Sequence, residues 1–553
     1  MMQDTEPSSS ECAHDGDCQC AIEALRDKCR QALFNASQAD VSDERLRFIP
    51  RDTIVQEISP EFTLEVLQRV SKNHVAIAEI MQQAANRISP RQPDVCHCMK
   101  PFCTGSRVIF AALLFTGLHG MLEDFIREAP PEKCDSSLWE LNSKDAPAVL
   151  GDSDPVLRQI QLLRGTQRDL FFHWMYQLRP LCFTTKRGGE PIKKLGLEDG
   201  LEDNIRLPWT SIEDAAKPSE DEPQDAENRP QKIEMQSSKV RKVHIHPSHH
   251  KLDGPDNAFA LKTFTGDFGP EISRSDFKKE LKANRCISRN DHIHPLLLAF
   301  EHRGSLSLLF PWTELGDLPA IWGKHPSPRH EGPSRQQISH EELHSPQWIL
   351  RECLGIASAV AYIHGLDPEC LLHADIKAEN ILGFPAHGSV ILKLADFGNS
   401  KVLPSASSST KVRGMAHTKT YRAPEFDIQD TVTIKFDVWS LGCLYLDFVT
   451  WALMGLDEIE EFQKRRLHEE KDLAANYENE SEDTFFKRVA IPESRPSPSR
   501  PSRSRFQSAY KWIRHRKDSR NSSITDQNLV TEEFSRPVET QVRDPVTKVS
   551  HVY

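Results

Sequence analysis

The first chemical signal in the chain is a trio of polar residues, Asp375, Lys377 and Asn380, within LLHADIKAENIL at 371–382. The apolar residues on either side suit a loop clamped between strands. A carboxylate there can take a proton from a hydroxyl, an ammonium group can steady a phosphate, and an amide oxygen can ligate a hard cation. Another acid, Asp396, ends the short apolar run of KLADFG at 393–398. Upstream, Phe259-Ala260-Leu261-Lys262 alternates like a strand and ends in lysine, and the charged helical stretch 276–285 that follows contains Glu280. These are the residue types needed to move a phosphoryl group from a nucleotide to a hydroxyl. That reaction requires a cation on the phosphates, oxygen ligands for magnesium, and a carboxylate beside the acceptor proton.

Two further motifs follow in order, TKTYRAPE at 418–425 and DVWSLGC at 437–443. Singly each motif is weak, and a lone aspartate is usually a solvated loop residue. In this order and spacing, the chain resembles the eukaryotic protein kinases over about 230–515, with Lys377 and the Thr418–Glu425 segment similar to the Ser/Thr type. The resemblance implies an α+β, bilobal fold: a small β-rich lobe with one major helix, joined by a hinge to a helical lobe. It also implies roles. Asp375 orients the acceptor hydroxyl and accepts its proton, while Lys377 steadies the γ-phosphate. Asn380 and Asp396 hold Mg2+ or Mn2+, and Lys262, braced by Glu280, grips the α- and β-phosphates of ATP. Phe310 stands at the gatekeeper position of LSLLFPW (306–312), and adenine meets the backbone at Pro311, Trp312 and Thr313. Asp317 takes the place of a ribose-binding acid; a loop aspartate after glycine is its ordinary alternative. Thr418 is expected to hydrogen-bond Asp375 and Lys377.

The sequence departs from the family pattern in several places. The glycine-rich phosphate loop is expected at 233–240, which reads IEMQSSKV, and no glycine occurs between 201 and 253. Without glycine, backbone N–H groups approach phosphates less closely, so weakened ATP binding is expected. Ala374 replaces the arginine that precedes the catalytic aspartate, which removes the usual reader of a phosphate placed at Ser405–Thr410. Asn284, one turn after Glu280, stands where an apolar core residue is usual, and an unpaired amide there costs about 1–3 kcal/mol. No arginine can be assigned to pair with Glu425, and a final lobe helix is hard to find. A scaffold that keeps the fold without turnover is therefore the alternative to an enzyme.

The 553 residues allow several domains. Residues 1–20 read as disordered and 21–185 as a helical module, with helices from Ala21, over 61–87, from Ser106 to Glu128 and over 155–176. This module is similar to the region preceding the kinase domain in a group of fungal kinase-domain proteins. Acidic composition marks 186–232 as a linker; the resemblance implies a kinase domain at 233–516 with a Pro/Ser/Arg-rich insertion at 494–505, and 517–553 reads as a disordered tail. Cys96, His97, Cys98 and Cys103, with Cys18 and Cys20 further back, offer soft ligands, but the C-x-C spacing favours scattered thiols over zinc. A net charge of −12 argues against nucleic-acid binding. The apolar run Val108–Phe115 is too short to span a membrane, and the polar N-terminus lacks an export pattern. The expected partner is a protein substrate and the expected location the cytoplasm, or the nucleus. Oligomeric state is not readable from the chain.

Overall fold

A computed structural model describes residues 19–40, 43–70, 78–91, 103–118, 120–122, 163–184, 204–214, 238–264, 270–287, 290–325, 343, 345–386, 388–412, 418–429, 431–474, 483–490 and 538–542. The chain divides into two compact units. The first is Met1–Ile321 with Leu354–His373 and Glu379–Pro404, and the second is Trp322–Cys353 with Ala374–Ala378 and Ser405–Tyr553.

Amphipathic periodicity near the N-terminus becomes helices α1 (Gln19–Ala36), α2 (Arg51–Glu57), α3 (Pro60–Val70), α4 (Ala78–Ile88), α5 (Arg107–Phe115) and α6 (Gly165–Leu178). Within the helical stretch expected over 61–87, the described residues form α3 and the start and body of α4, and 71–77 lie outside the described residues. Helix α5 is apolar all round and wholly buried, as such a helix must be. Arg107 at its start is 1% exposed. Its guanidinium donates to the carbonyls of Ile58 (2.9 Å), Thr104 (2.6 Å) and Pro90 (2.7 Å), tying α2, the turn before α5 and the end of α4 together. Arg107→Met removes all three donors while keeping most of the bulk. The expected loss is about 3 kcal/mol or more, measured as a shift in urea unfolding; a loss below about 0.5 kcal/mol would contradict this role. Of the cysteine cluster, Cys96–Cys98 and Cys18 lie outside the described residues, and buried Cys103 donates to the carbonyl of Gly105 at 3.9 Å.

The central element is a five-stranded antiparallel sheet. Its strands are β1 (Trp209–Asp214), β2 (Ser238–Ile245), β3 (Ala258–Phe264), β4 (Leu298–His302) and β5 (Ser305–Pro311), in the order β1-β2-β3-β5-β4. Strand β1 lies inside the stretch that composition marked as linker. Its Trp209 is 1% exposed and stacked on Phe183 at 5.4 Å. Of the phosphate-covering turn expected at 233–240, residues 233–237 lie outside the described residues. Residues 238–240 already belong to β2, so the connection between β1 and β2 is 215–237 and contains no glycine.

Side-chain alternation gives this sheet two faces with different covers. Register pairs Val240 with Lys262 and Lys262 with Leu308, so these residues share one face with Phe264, Leu306 and Phe310. Helix α7 (Pro270–Cys286) packs Phe277 and Leu281 onto Phe264, Leu306 and Leu308 of that face. The opposite face presents Val243, Ile245, Phe259, Leu261 and Leu309, which join one continuous core with residues of α1–α6. Phe183 and Trp209 both lean on Phe300 of β4. At the corner of the same joint, the main-chain N–H of Arg51 donates to Nε2 of His249 at 3.0 Å, and Cys182 Sγ sits 3.3 Å from Nδ1. The helical module and the sheet therefore have a single core.

After β5 come α8 (Leu318–Lys324), α9 (Pro346–His364) and the short β6 (Cys370–Leu372). Strands β7 (Ile381–Ala386) and β8 (Ser389–Leu394) form a hairpin, and β9 (Lys401–Leu403) pairs with β6. In the second unit, α10 (Lys435–Met454) carries Phe448 and Trp451, which cluster with Trp322 and Trp348. Trp451 Nε1 donates to the His325 carbonyl at 2.8 Å. Helix α11 (Leu456–Ala474) follows. Val538–Val542, in the tail expected to be disordered, pairs antiparallel with Phe486–Ala490. The insertion at 494–505 lies outside the described residues. The architecture belongs to the α+β, bilobal kinase-like class, preceded by a mostly helical part.

Candidate active site

Lys262 points from the middle of the sheet toward α7. Its Nζ lies 2.8 Å from Glu280 Oε2 and 2.9 Å from Asp396 Oδ1, and its side chain is 12% exposed, against 2% for Glu280 and 48% for Asp396. Burial opposes the lysine's charge, but the two carboxylates outweigh it and raise its pKa above the ordinary lysine value. Loss of part of its solvation resists ionisation of Asp396, although about half of its side chain stays exposed. Lys262 and the N–H of Gly398 overcome that resistance, and the pKa falls to about 2. Burial raises Glu280 more than Lys262 lowers it, and the Asp396 charge adds to the rise. Space beside Gly398 is tight. A Cβ there would sit 3.1 Å from Asp396 Oδ1 and 3.2 Å from Glu280 Oε2. Asn284 is 8% exposed, yet its amide donates to the Glu280 carbonyl at 2.9 Å, so the expected penalty for an unpaired group does not arise.

The β7–β8 hairpin brings the two candidate metal ligands together. Ile381 pairs with Leu394, and the N–H of Ala395 donates to the Asn380 carbonyl at 2.8 Å, which sets Asn380 beside the residue before Asp396. A carboxylate and an amide, both oxygen donors, suit a small hard cation that keeps water and phosphate oxygens as its other ligands. Magnesium fits that donor set. Asp396 itself has a left-handed backbone, φ +60°. His373 Nε2 donates to the Ala395 carbonyl at 3.2 Å, and its ring meets Phe397 edge-on at 4.8 Å, which helps hold this turn.

At the hinge, Phe310 is half-buried and its ring stacks on His294 at 5.2 Å. The Trp312 indole donates to Glu314 at 3.0 Å, and Lys242 reaches the same carboxylate from β2 at 2.6 Å. Thr313 donates its hydroxyl to the Gly383 carbonyl. The Asp317 carboxylate accepts the N–H of Ala320 at 2.9 Å, capping the start of α8. A ribose contact would therefore be additional to a structural role.

The second unit holds the other candidate residues. Thr418 Oγ1 donates to Asp375 Oδ1 at 2.7 Å, and Lys377 Nζ lies 3.3 Å from Asp375 Oδ2 and 3.1 Å from Thr418 Oγ1. Asp375 is 8% exposed, and these bonds aim its carboxylate. Ala374 has φ +68°, and its N–H donates to Asp437 Oδ1 at 2.8 Å. Asp437, fully buried on α10, thus anchors the loop from below. The motif around Asp437 was legible, but this bond was not. Tyr421 OH donates to Asp447 at 2.8 Å, and Ser440 donates to the Tyr421 carbonyl at 2.8 Å, fixing the segment after Thr418 to α10. Arg466 pairs with Asp483 at 2.6 Å and lies over the rings of Phe462 and Phe485. Among the described residues Glu425 forms no ion pair.

Residues 249–527 match the protein kinase domain family. Among curated proteins, the chain is 30% identical over 166 residues to the receptor-like kinase TMK4 of Arabidopsis thaliana, covering 30% of this chain and 15% of that protein. It is 34% identical over 184 residues to the L-type lectin-domain containing receptor kinase IX.2 of the same plant, covering 32% of this chain and 26% of the relative. A G-type lectin S-receptor-like serine/threonine-protein kinase, LECRK2 of Oryza sativa subsp. indica, is 34% identical over 106 residues, covering 19% of this chain and 13% of the relative. The matched segments are thus small parts of those proteins. Among the described residues no helix is long and apolar enough to cross a membrane.

Proposed function

Because this chain belongs to the protein kinase family, with the match spanning 249–527 of its 553 residues, we propose that it transfers the γ-phosphoryl of ATP to serine and threonine hydroxyls of protein substrates. The observation that carries this reading is the bonding of one lysine, Lys262, to both Glu280 and Asp396 at 2.8–2.9 Å. Phosphoryl transfer is catalysed mainly by positioning and by charge, and this cluster supplies both. Lys262 grips the α- and β-phosphates, with Glu280 holding it in place. Asn380 and Asp396 hold magnesium, which when bound neutralises charge on the phosphates. Asp375, its oxygens aimed by Thr418 and Lys377, orients the acceptor hydroxyl and receives its proton; Lys377 steadies the phosphoryl group. The bond of Thr418 to Asp375 supports the Ser/Thr assignment, as does the serine/threonine kinase among the relatives.

ATP binding is weak in this reading. The connection between β1 and β2 is glycine-free, and with six acids against three bases it carries like charge to the phosphates. The same feature favours a second reading, a scaffold that keeps the fold without turnover. The two are separated by assaying the full chain with Mg-ATP on basic peptides that offer serine, threonine or tyrosine. The expected result is slow transfer to serine and threonine, an apparent KM for ATP near or above about 1 mM, and no transfer without a divalent ion. Turnover equal to that of the Asp375→Asn variant would leave only the scaffold.

A further inference from the structure

His294 lies between α7 and β4, and none of the roles above uses it. It is 6% exposed. Its main chain is tied to β8: the His294 N–H donates to the Leu394 carbonyl at 2.9 Å, and the Leu394 N–H donates back to the carbonyl of His292 at 2.9 Å. Leu394 stands two residues before Asp396. The side chain reaches the other way. Nε2 lies 3.0 Å from the carbonyl oxygen of Pro311, the last residue of β5 and the first of the hinge. A carbonyl only accepts, so Nε2 carries the hydrogen. The imidazole plane lies 26° from that of Phe310 at 5.2 Å, and it is tilted against Phe384 at 5.3 Å. Burial lowers its pKa to about 4, so the ring is neutral near pH 7 and donates as a neutral group.

This residue joins two parts that must agree in position. On one side is the strand leading to the metal-binding acid, and on the other the hinge that meets the base of the nucleotide. Pro311 has no N–H, so its carbonyl is the only main-chain polar group it offers there, and His294 sets that carbonyl's direction. The same ring also fixes the plane of Phe310 at the back of the base site.

Building on the nucleotide-binding reading above, we infer that His294 is a positioning residue for the purine base: it holds the Pro311 carbonyl and the Phe310 ring in register with the strand that carries Asp396. Base affinity depends on this preorganisation. The transfer step, carried by Asp375 and the phosphate-side residues, does not.

The test compares three variants of the full chain. His294→Leu removes the donor and keeps bulk. His294→Gln keeps an N–H at nearly the reach of Nε2. His294→Asn keeps an amide too short to touch Pro311. Metal-free ADP binding by calorimetry, Mg-pyrophosphate binding as a probe without a base, and kcat with KM for ATP are measured on each. Losing one such bond corresponds to about tenfold, or ~1.4 kcal/mol. The expected result is that Leu and Asn raise the ADP Kd and the ATP KM about tenfold, while Gln stays within about threefold of the unaltered protein. Pyrophosphate affinity and kcat stay within about threefold throughout. If Leu does not fold, the Asn–Gln contrast carries the same comparison. Wild-type ADP affinity in both Leu and Asn, a Gln variant as weak as Asn, or an equal loss of pyrophosphate binding would each overturn the inference. Should the unaltered protein bind pyrophosphate but no ADP, the base site is absent and the inference falls alone. Should it bind neither, the kinase reading falls with it.

Discussion

Asp375→Asn is expected to lower kcat by about 10²–10⁴-fold, the range that a positioned proton acceptor contributes, while leaving nucleotide-induced thermal stabilisation nearly unchanged. The carboxylate is aimed by Thr418 and Lys377 at 2.7 and 3.3 Å. Asparagine keeps the shape and the bond from Thr418 but cannot take the proton. Asp396→Ala differs in kind. It removes the acid whose pKa lies near 2 and which is therefore ionised at any working pH, and it frees Lys262 to pair with Glu280 alone. Activity should fall at least as far, and the part of the thermal stabilisation by ATP that depends on magnesium should vanish. Equal magnesium-dependent stabilisation in Asp396→Ala and the unaltered protein would show that the metal is held elsewhere.

Deleting residues 1–202 is expected to prevent the sheet from folding. Composition suggested a separable module and a kinase fragment starting near 230, which would also discard β1. The shared core argues otherwise. Val243, Ile245, Phe259, Leu261, Phe300 and Leu309 are each no more than 4% exposed, and the helical module covers their face of the sheet. Exposing six such side chains costs about 1.5–3 kcal/mol each, which sums to about 9–18 kcal/mol and rivals the whole stability of an ordinary domain. The deleted form should be insoluble, or should lack a cooperative thermal transition. A single change, Phe183→Ala, removes the ring stacked on Trp209 and should cost about 3–5 kcal/mol. A cut between 215 and 237 should leave both pieces associated through gel filtration. A soluble, cooperatively melting fragment that begins after 202 would refute the shared core.

The motifs were readable because their chemistry needs fixed residue types at short separations in the chain. Strand β1 was not. It is six residues long, largely polar on its open edge, and set among acidic residues that dominate any compositional window. The cover on the outer face of the sheet was hidden for a related reason. Val243, Ile245, Phe259 and Leu261 are apolar where a half-exposed strand would be polar, yet nothing local says what they touch. Asn284 misled because sequence shows an amide in a core position but not the carbonyl of Glu280 one turn back, which satisfies it. Asp317 could be read as ligand or cap, and only geometry reveals the cap. Asp437 and His294 work through backbone atoms of residues far along the chain, contacts that leave no mark in a motif.

The single core has a consequence for how the protein is made. Helix α1 begins at Gln19, but its core includes Leu309 of β5. On a ribosome adding roughly 5–20 residues per second, the early helices wait about 15–60 s for the strands that cover them. During that interval an apolar surface built to meet a sheet stands open to water and to other nascent chains. Slow closure through distant contacts favours misassembly over productive folding. Yield of the folded protein should therefore depend on translation speed and on chaperones that bind the N-terminal helices, far more than the stability of the finished molecule would suggest.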